Sequence, residues 1–226
     1  TRKDTLSLHD ALPISVAASS NLHVFGPQLR VTAAGAPAGT QHVPFAYNFH
    51  VPTPWEDTDQ TLVDVGSITG TDGKPVERHL CGSVNSGADP NDPEASTLPR
   101  GSLSGVVALV SRGGCTFDSK VARVAAAGAT GIILVDNRFG EANQIPIRLG
   151  LTAGMISDLD GADIRAFMAS NGGRTSFRVS SELAPHEIDT GRSGVITSFS
   201  SAGPTNFDHR LKPDVTAPGG QILSST

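Results

Sequence analysis

Two short apolar segments separated by an amphipathic stretch constrain the fold of this chain most strongly. Residues 105–111 read Gly-Val-Val-Ala-Leu-Val-Ser, and residues 131–136 read Gly-Ile-Ile-Leu-Val-Asp. Between them, apolar residues recur at helical spacing from Phe117 to Ala125. Thr116 is placed to cap that helix, and Gly128 is placed to end it. Two wholly apolar strands around one helix predict parallel strands that are buried on both faces.

A similar pattern returns after residue 150. Residues 153–157 predict a short strand, and Ser157 is followed at capping-box spacing by Asp160, which replaces the usual Glu. A helix should follow, and residues 175–180 then alternate like a half-exposed strand. On the first helix, Lys120 and Arg123 are predicted to face away from the apolar residues. The sequence therefore predicts a mixed α/β unit with two helices.

The turn before the first helix reads Arg112-Gly-Gly-Cys-Thr-Phe117, and Ala127-Gly-Ala129 closes that helix. With the strands around it, this pattern covers about residues 60–182 and resembles the protease-associated (PA) domain. The resemblance implies a small β-barrel or sandwich flanked by two helices. Its motif residues are Arg112, Gly113, Gly114, Cys115, Phe117, Lys120 and Gly128.

The two cysteines, Cys81 and Cys115, leave two readings open. In an exported protein they could pair and close a loop, whereas in a cytosolic protein they would stay free thiols. They lack the clustered Cys and His spacing of a zinc site. The PA resemblance implies the disulfide, because an upstream cysteine in such domains often pairs with the cysteine of this motif.

Near the C-terminus, residues 199–204 read Phe-Ser-Ser-Ala-Gly-Pro and residues 212–219 read Lys-Pro-Asp-Val-Thr-Ala-Pro-Gly. The apolar residues of 195–199 predict a buried strand, and residues 215–217 predict a second, short strand. Both motifs resemble the stretch that precedes the nucleophilic serine in subtilisin-like serine proteases (subtilases).

The resemblance divides the chain into a subtilase exit segment at 16–45, a PA insertion at 46–184 and a return segment at 185–226. Partial strands of a subtilase α/β catalytic domain would therefore accompany the PA domain. Residues 1–15 are expected not to be native, because residues 5–14 resemble the in-frame translation of a sequencing-library adapter.

The implied parent is a secreted serine endopeptidase that acts on polypeptides. Its triad is expected to lie outside this chain, because none of the seven histidines has the family's context. A catalytic triad within this chain, formed by Ser200 or Ser201, His209 and Asp214, is disfavoured, since these positions match structural or variable positions in relatives. Phe199 either lines a substrate subsite on the leaving-group side or is merely packed.

Two rival functions remain from the sequence. One is a non-enzymatic PA-domain binding module, and the other is the PA domain of a zinc aminopeptidase. The PA domain is expected to restrict or recruit polypeptide substrates and to allow self-association. No metal or cofactor is expected within this chain, although the parent could hold a structural calcium ion. Asp89, Asp92 and Glu94 lack EF-hand spacing and are predicted to form a solvated loop.

The net charge is −5, and the sequence shows no basic patch. Nucleic acid and anionic membrane surfaces are therefore disfavoured as partners. No apolar run approaches the length that crosses a bilayer.

Overall fold

A computed structural model describes residues 14–48, 55–82, 89–92, 95–180, 186–189, 194–200, 203–204, 209, 211–220 and 222. The expected leader at 1–15 therefore lies almost entirely outside the described residues. The strands are β1 (Val16–Ser19), β2 (His23–Gly26), β3 (Gln28–Val31), β4 (Val43–Pro44), β5 (Ala46–Tyr47), β6 (Gln60–Asp64), β7 (Val107–Ser111), β8 (Gly131–Val135), β9 (Thr152–Ile156), β10 (Arg174–Val179), β11 (His186–Asp189) and β12 (Val215–Pro218). The helices are α1 (Phe117–Ala126) and α2 (Asp158–Ala169).

Four parallel strands form the centre of the main sheet. β6 pairs with β7, β7 with β8 and β8 with β9, all in parallel. Val107 lies opposite Gly131, and Ser111 lies opposite Val135, so β7 and β8 pair along their full length. The parallel, buried strands predicted on either side of the first helix are confirmed.

The sheet has eight strands in the order β4-β3-β10-β6-β7-β8-β9-β5. Its two edge strands, β4 and β5, are separated along the chain by Phe45 alone. The edges must therefore lie next to each other, and the sheet is nearly closed. This arrangement with two helices confirms the mixed α/β class and is consistent with a PA domain.

The central strands of the sheet are buried on both faces. Successive side chains point alternately to these two faces. Val107 and Leu109 of β7 pack inside the curved sheet with α2, and Ala108 and Val110 pack on the other face with α1. Described residues between β6 and β7 cover that second face, and they contribute Val65, Val76, Leu80, Leu98, Leu103 and Val106. For this reason β7 and β8 both appear in the sequence as continuous apolar runs.

Both helices begin where their caps predict. The Thr116 hydroxyl accepts a hydrogen bond from Ser119 N, and the Ser157 hydroxyl accepts one from Asp160 N. Lys120 and Arg123, which are expected to face away from the apolar residues of α1, are nevertheless not exposed. Both side chains are buried, because residues 77–82 and 89–92 cover that side of α1.

Strands near the two ends of the chain pair with each other. β1 pairs in parallel with β12, so that Val16 lies opposite Val215, and β2 pairs with β11. Residues 194–197 run along the other side of β1, where Ser20 N donates to Val195 O. Residues 195–199 do not form the buried strand that was expected, since they make one bridge to β1 and then turn.

The expected boundary between residues 45 and 46 lies inside the main sheet. β3 and β4 precede this boundary. β3 pairs with β10, which lies near the far end of the expected insertion. Leu29 and Val31 of β3 are fully buried, so this strand requires the sheet to cover it. Among the described residues, no helix has the length and apolarity to cross a membrane.

Candidate functional site

The PA motif forms a disulfide-linked corner at the start of α1. Cys81 and Cys115 are bonded, and their Cα atoms are 5.7 Å apart. Gly113 and Gly114 both have positive φ, at 106° and 77°. At Gly114 a Cβ would lie 2.8 Å from Cys81 Sγ, so only glycine fits this turn without strain.

Two cationic side chains lie beneath this corner. Lys120 donates to the carbonyl oxygens of His79 and Gly113, the latter at 2.7 Å. Arg123 donates to the carbonyl oxygens of Leu80, Pro90 and Asp92. Burial lowers the pKa of Lys120 to about 8, despite the opposing charge of Glu77. These contacts fasten residues 77–82 and 89–92 onto the helix.

Asp136 follows β8 and organises the neighbouring loop. Its carboxylate pairs with Arg112 at 2.8 Å and accepts hydrogen bonds from Arg138 N and from the Asn143 side chain at 2.7 Å. Burial alone would raise the pKa of Asp136, but the hydrogen bonds from Asn143 and the charge of Arg112 lower it below its ordinary value. The loop is therefore held by an ionised carboxylate.

The loop at residues 138–145, called the bridging loop here, also contacts the return segment. Asn143 Nδ2 donates to Ser198 Oγ at 3.0 Å, next to Phe199. The Glu141 carboxylate packs against Gly220, where an added Cβ would overlap it. Phe199 itself is 55% exposed. The segment that carries Phe199 and the main sheet thus meet through this loop.

An acidic cleft of about 670 Å³ opens beside the bridging loop. The short 3-10 turn Ala38–Thr40, the start of α2 and β11 form its walls. Leu159, which is half-exposed, contributes an apolar side chain. The carboxylate side chains that line it are Glu141, Asp160, Asp163, Glu187 and Asp189. Their summed charge favours a cationic ligand.

Sequence reasoning missed this cleft. Its acidic residues come from three separate segments, so no motif joins them. The one local signal is the spacing of Asp160 and Asp163, which places both on one side of α2.

Two of the other sequence candidates, Ser200 and Asp214, have structural partners. Ser200 Oγ accepts a hydrogen bond from Ala18 N. Asp214 accepts from Ser15 N and pairs with Lys212 at 2.6 Å. Ser201 and Glu94 lie outside the described residues. Among those described, no group of three or more acidic, histidine or cysteine side chains could hold a metal ion.

Residues 59–164 match the PA domain family. C5a peptidase of Streptococcus pyogenes serotype M3 is 33% identical over 54% of this chain and 10% of its own length. Minor extracellular protease Vpr of Bacillus subtilis is 29% identical over 58% of this chain and 16% of its own length. PII-type proteinase of Lactococcus lactis subsp. cremoris is 31% identical over 54% of this chain and 6% of its own length. The chain thus spans a small part of the relatives that it matches.

Among solved structures, a zinc aminopeptidase from Bacillus subtilis is similar with 14% identity and a TM-score of 0.44, covering 74% of this chain and 33% of that one. An aminopeptidase from Aneurinibacillus sp. strain AM-1 has 18% identity and a TM-score of 0.38, covering 78% and 42%. Residues 59–164 therefore carry the sequence pattern of a PA domain, and the sequence relatives that extend over more than half of this chain are proteases.

Proposed function

We propose that this chain is part of a secreted subtilisin-like serine endopeptidase, in which a PA domain is inserted and contacts polypeptide substrates. The observation that carries the proposal is the pairing of β1 with β12. These strands are far apart in sequence yet lie side by side in parallel register. A unit whose entry and exit are adjacent can be inserted into a second domain without disturbing it.

The sequence at this junction supports the subtilase class. The motif at 212–219 includes β12, and the motif at 199–204 begins at a segment that runs along β1. The relatives are proteases, and one is described as extracellular. In the whole enzyme, a serine would attack the peptide carbonyl and form an acyl-enzyme that water hydrolyses.

The role proposed for the residues of this chain is to bind and orient substrate. The acidic cleft lies beside the bridging loop, which contacts the segment that carries Phe199. A basic polypeptide segment would find carboxylates along the cleft and an apolar contact at Leu159. Binding there would bring the substrate close to the return segment.

The enzyme class is tested on the gene. The codons that follow Thr226 should encode Gly-Thr-Ser-Met, with the Asp and His of a subtilase upstream. His, Asp and Glu codons at metal-ligand spacing on both sides would assign the PA domain to a zinc aminopeptidase. Flanking sequence without either pattern would favour a binding module, and the serine endopeptidase proposal would be abandoned.

The substrate role is tested on the protein. Fluorescence anisotropy should detect binding of a labelled Lys-rich peptide to the full chain, and the affinity should fall as salt increases. The paired substitutions Asp163→Asn and Glu187→Gln should weaken binding about tenfold or more, since each removes a charge facing the ligand. Asp118→Asn, at an exposed position of α1, is the matched control. Equal affinity for the Lys-rich peptide and an acidic one would overturn this role.

A further inference from the structure

The disulfide at the PA motif lies against the two buried cations of α1. Lys120 Nζ is 3.5 Å from Cys81 Sγ, and Arg123 Nη1 is 3.7 Å from Cys115 Sγ. Lys120 is 0% exposed and Arg123 is 2% exposed. Each sulfur atom therefore has its own positively charged neighbour, and the side chain of that neighbour is shielded from water.

Among the described residues, no carboxylate forms a hydrogen bond or an ion pair with either cation. Within the described part of the chain, the groups in contact with both cations are backbone carbonyls and the two sulfur atoms. Glu77, Asp89 and Asp92 act on them only through longer-range electrostatics. Desolvation lowers the pKa of both cationic side chains, so the oxidised form leaves positive charge poorly stabilised.

Reduction would supply the missing negative charge. A thiol next to a buried cation ionises more readily, and a thiolate next to that cation relieves its desolvation. Cys115 has a second stabilising influence, because it directly precedes Thr116, the N-cap of α1. Helix N-termini favour thiolates for the same reason that they favour other anions.

We propose that Cys81 and Cys115 form a redox-active disulfide that exchanges with dithiols, and that its two reduced sulfur atoms are held as thiolates by Lys120 and Arg123. Gly114 keeps Cys81 approachable, since a side chain there would stand against Cys81 Sγ. Both cysteines are partly exposed. The site is independent of the endopeptidase proposal.

The exchange proceeds in two displacements. A thiolate of the reductant attacks Cys81 Sγ, the S–S bond breaks, and its electron pair leaves on Cys115 Sγ beside Arg123. The second thiol of the reductant loses its proton to water and attacks the reductant sulfur of the mixed disulfide. Cys81 then departs as a thiolate beside Lys120, and the reductant leaves as a cyclic disulfide. Two electrons pass from the dithiol to the protein, and two protons pass to solvent.

The first measurement uses the unmodified chain. After reduction, thiolate absorbance near 240 nm is followed against pH, and alkylation by iodoacetamide reports each cysteine separately. At least one thiol should titrate about one pKa unit or more below the ordinary value of about 8.5. Two thiols that titrate at or above the ordinary value would overturn the proposal without any variant.

The second measurement places the chain in glutathione buffers of stepped ratio and counts alkylated cysteines by mass. Lys120→Met should shift the equilibrium about tenfold or more towards the disulfide, because the Cys81 thiolate loses its counter-charge. Arg123→Met should act likewise on Cys115. The exposed Lys74→Met is the matched control and should leave the equilibrium unchanged. Equal equilibria for all four proteins would overturn the proposal, and the unmodified chain decides it alone if a variant does not fold.

Discussion

At the scale of single residues, Lys120 exchanges water for backbone carbonyls, and this costs the folded state free energy while the lysine is charged. Burial lowers the pKa of Lys120 to about 8, with Glu77 opposing the shift and Arg123 adding to it. An unfolded lysine titrates at about 10.4. Between these two pH values the unfolded chain binds more protons, so the contribution of this group to the free energy of unfolding rises with pH.

We expect the free energy of unfolding, measured relative to Lys120→Met, to increase by on the order of 3 kcal/mol between about pH 7.5 and pH 10.5. Urea unfolding followed by circular dichroism at several pH values gives this difference. Lys74→Met, at an exposed lysine, should show no comparable trend. A difference for Lys120→Met that stays constant over this range would contradict the lowered pKa.

Gly114 combines a left-handed backbone with a close neighbour. Its φ is +77°, and a Cβ would lie 2.8 Å from Cys81 Sγ. Gly114→Ala should destabilise the protein by about 1–2 kcal/mol from the backbone and further from the overlap. Gly35→Ala is the matched control, because Gly35 has φ +79° and nothing within 4 Å of an added Cβ. Equal losses in thermal unfolding for both variants would refute a role for the sulfur contact.

At the scale of elements, the sequence predicts best where the determining contacts are local. Thr116 and Ser157 cap helices within three residues, so α1 and α2 could be located in advance. β7 and β8 could be identified because both faces are apolar. The inclusion of β3 in the sheet could not be predicted, because its partner β10 lies far along the chain. The charge of a side chain likewise does not reveal whether a distant segment covers it, as residues 77–82 cover Lys120.

Strand β9, which lies next to the edge strand β5, depends on a glycine. Gly154 lies against the ring of Phe45, which joins the edge strands, and a Cβ at Gly154 would overlap that ring. Phe45 also packs edge-on against Tyr47 and Trp55, each at 5.4 Å between ring centroids, so it has little room to move. Overpacking at such a site costs about 1–3 kcal/mol.

Gly154→Ala should therefore lower the free energy of unfolding by about 1–3 kcal/mol. In a Phe45→Leu background the same change should cost less, since the smaller side chain yields space, and urea unfolding of the four proteins gives the coupling energy. Gly150→Ala, where nothing lies within 4 Å, serves as the control. Additive effects of the two substitutions would rule out the proposed overlap.

At the scale of the whole molecule, the PA motif indicated the disulfide corner but not the acidic cleft. The motif residues lie within one turn and one helix, so their pattern is visible in sequence. The cleft brings together α2, β11 and the bridging loop, which come from separate parts of the chain. Phe199 was singled out through resemblance, and its substrate role stays a prediction. The neighbouring contact of Ser198 with Asn143 had no sequence signal at all.

The boundary of the folding unit provides the last prediction. Among the described residues, both hydrophobic clusters lie between Leu29 and Val179, and every strand of the main sheet lies between residues 28 and 179. A chain of residues 28–180 should therefore unfold cooperatively and keep the disulfide between Cys81 and Cys115. Residues 60–182, the core suggested by sequence, should not unfold cooperatively, because they lack β3, β4 and β5. Without these strands, β10 loses its partner β3 and β9 loses its partner β5, so both become unpaired edges.

Thermal unfolding by circular dichroism and amide hydrogen exchange compare the two chains. Exchange protection in β6–β9 should match the full chain for residues 28–180 and be lost for residues 60–182, because a sheet open at both edges exposes its buried faces. If residues 60–182 melt as cooperatively as residues 28–180, then β3–β5 are accessory strands and the closed sheet is not the unit of stability.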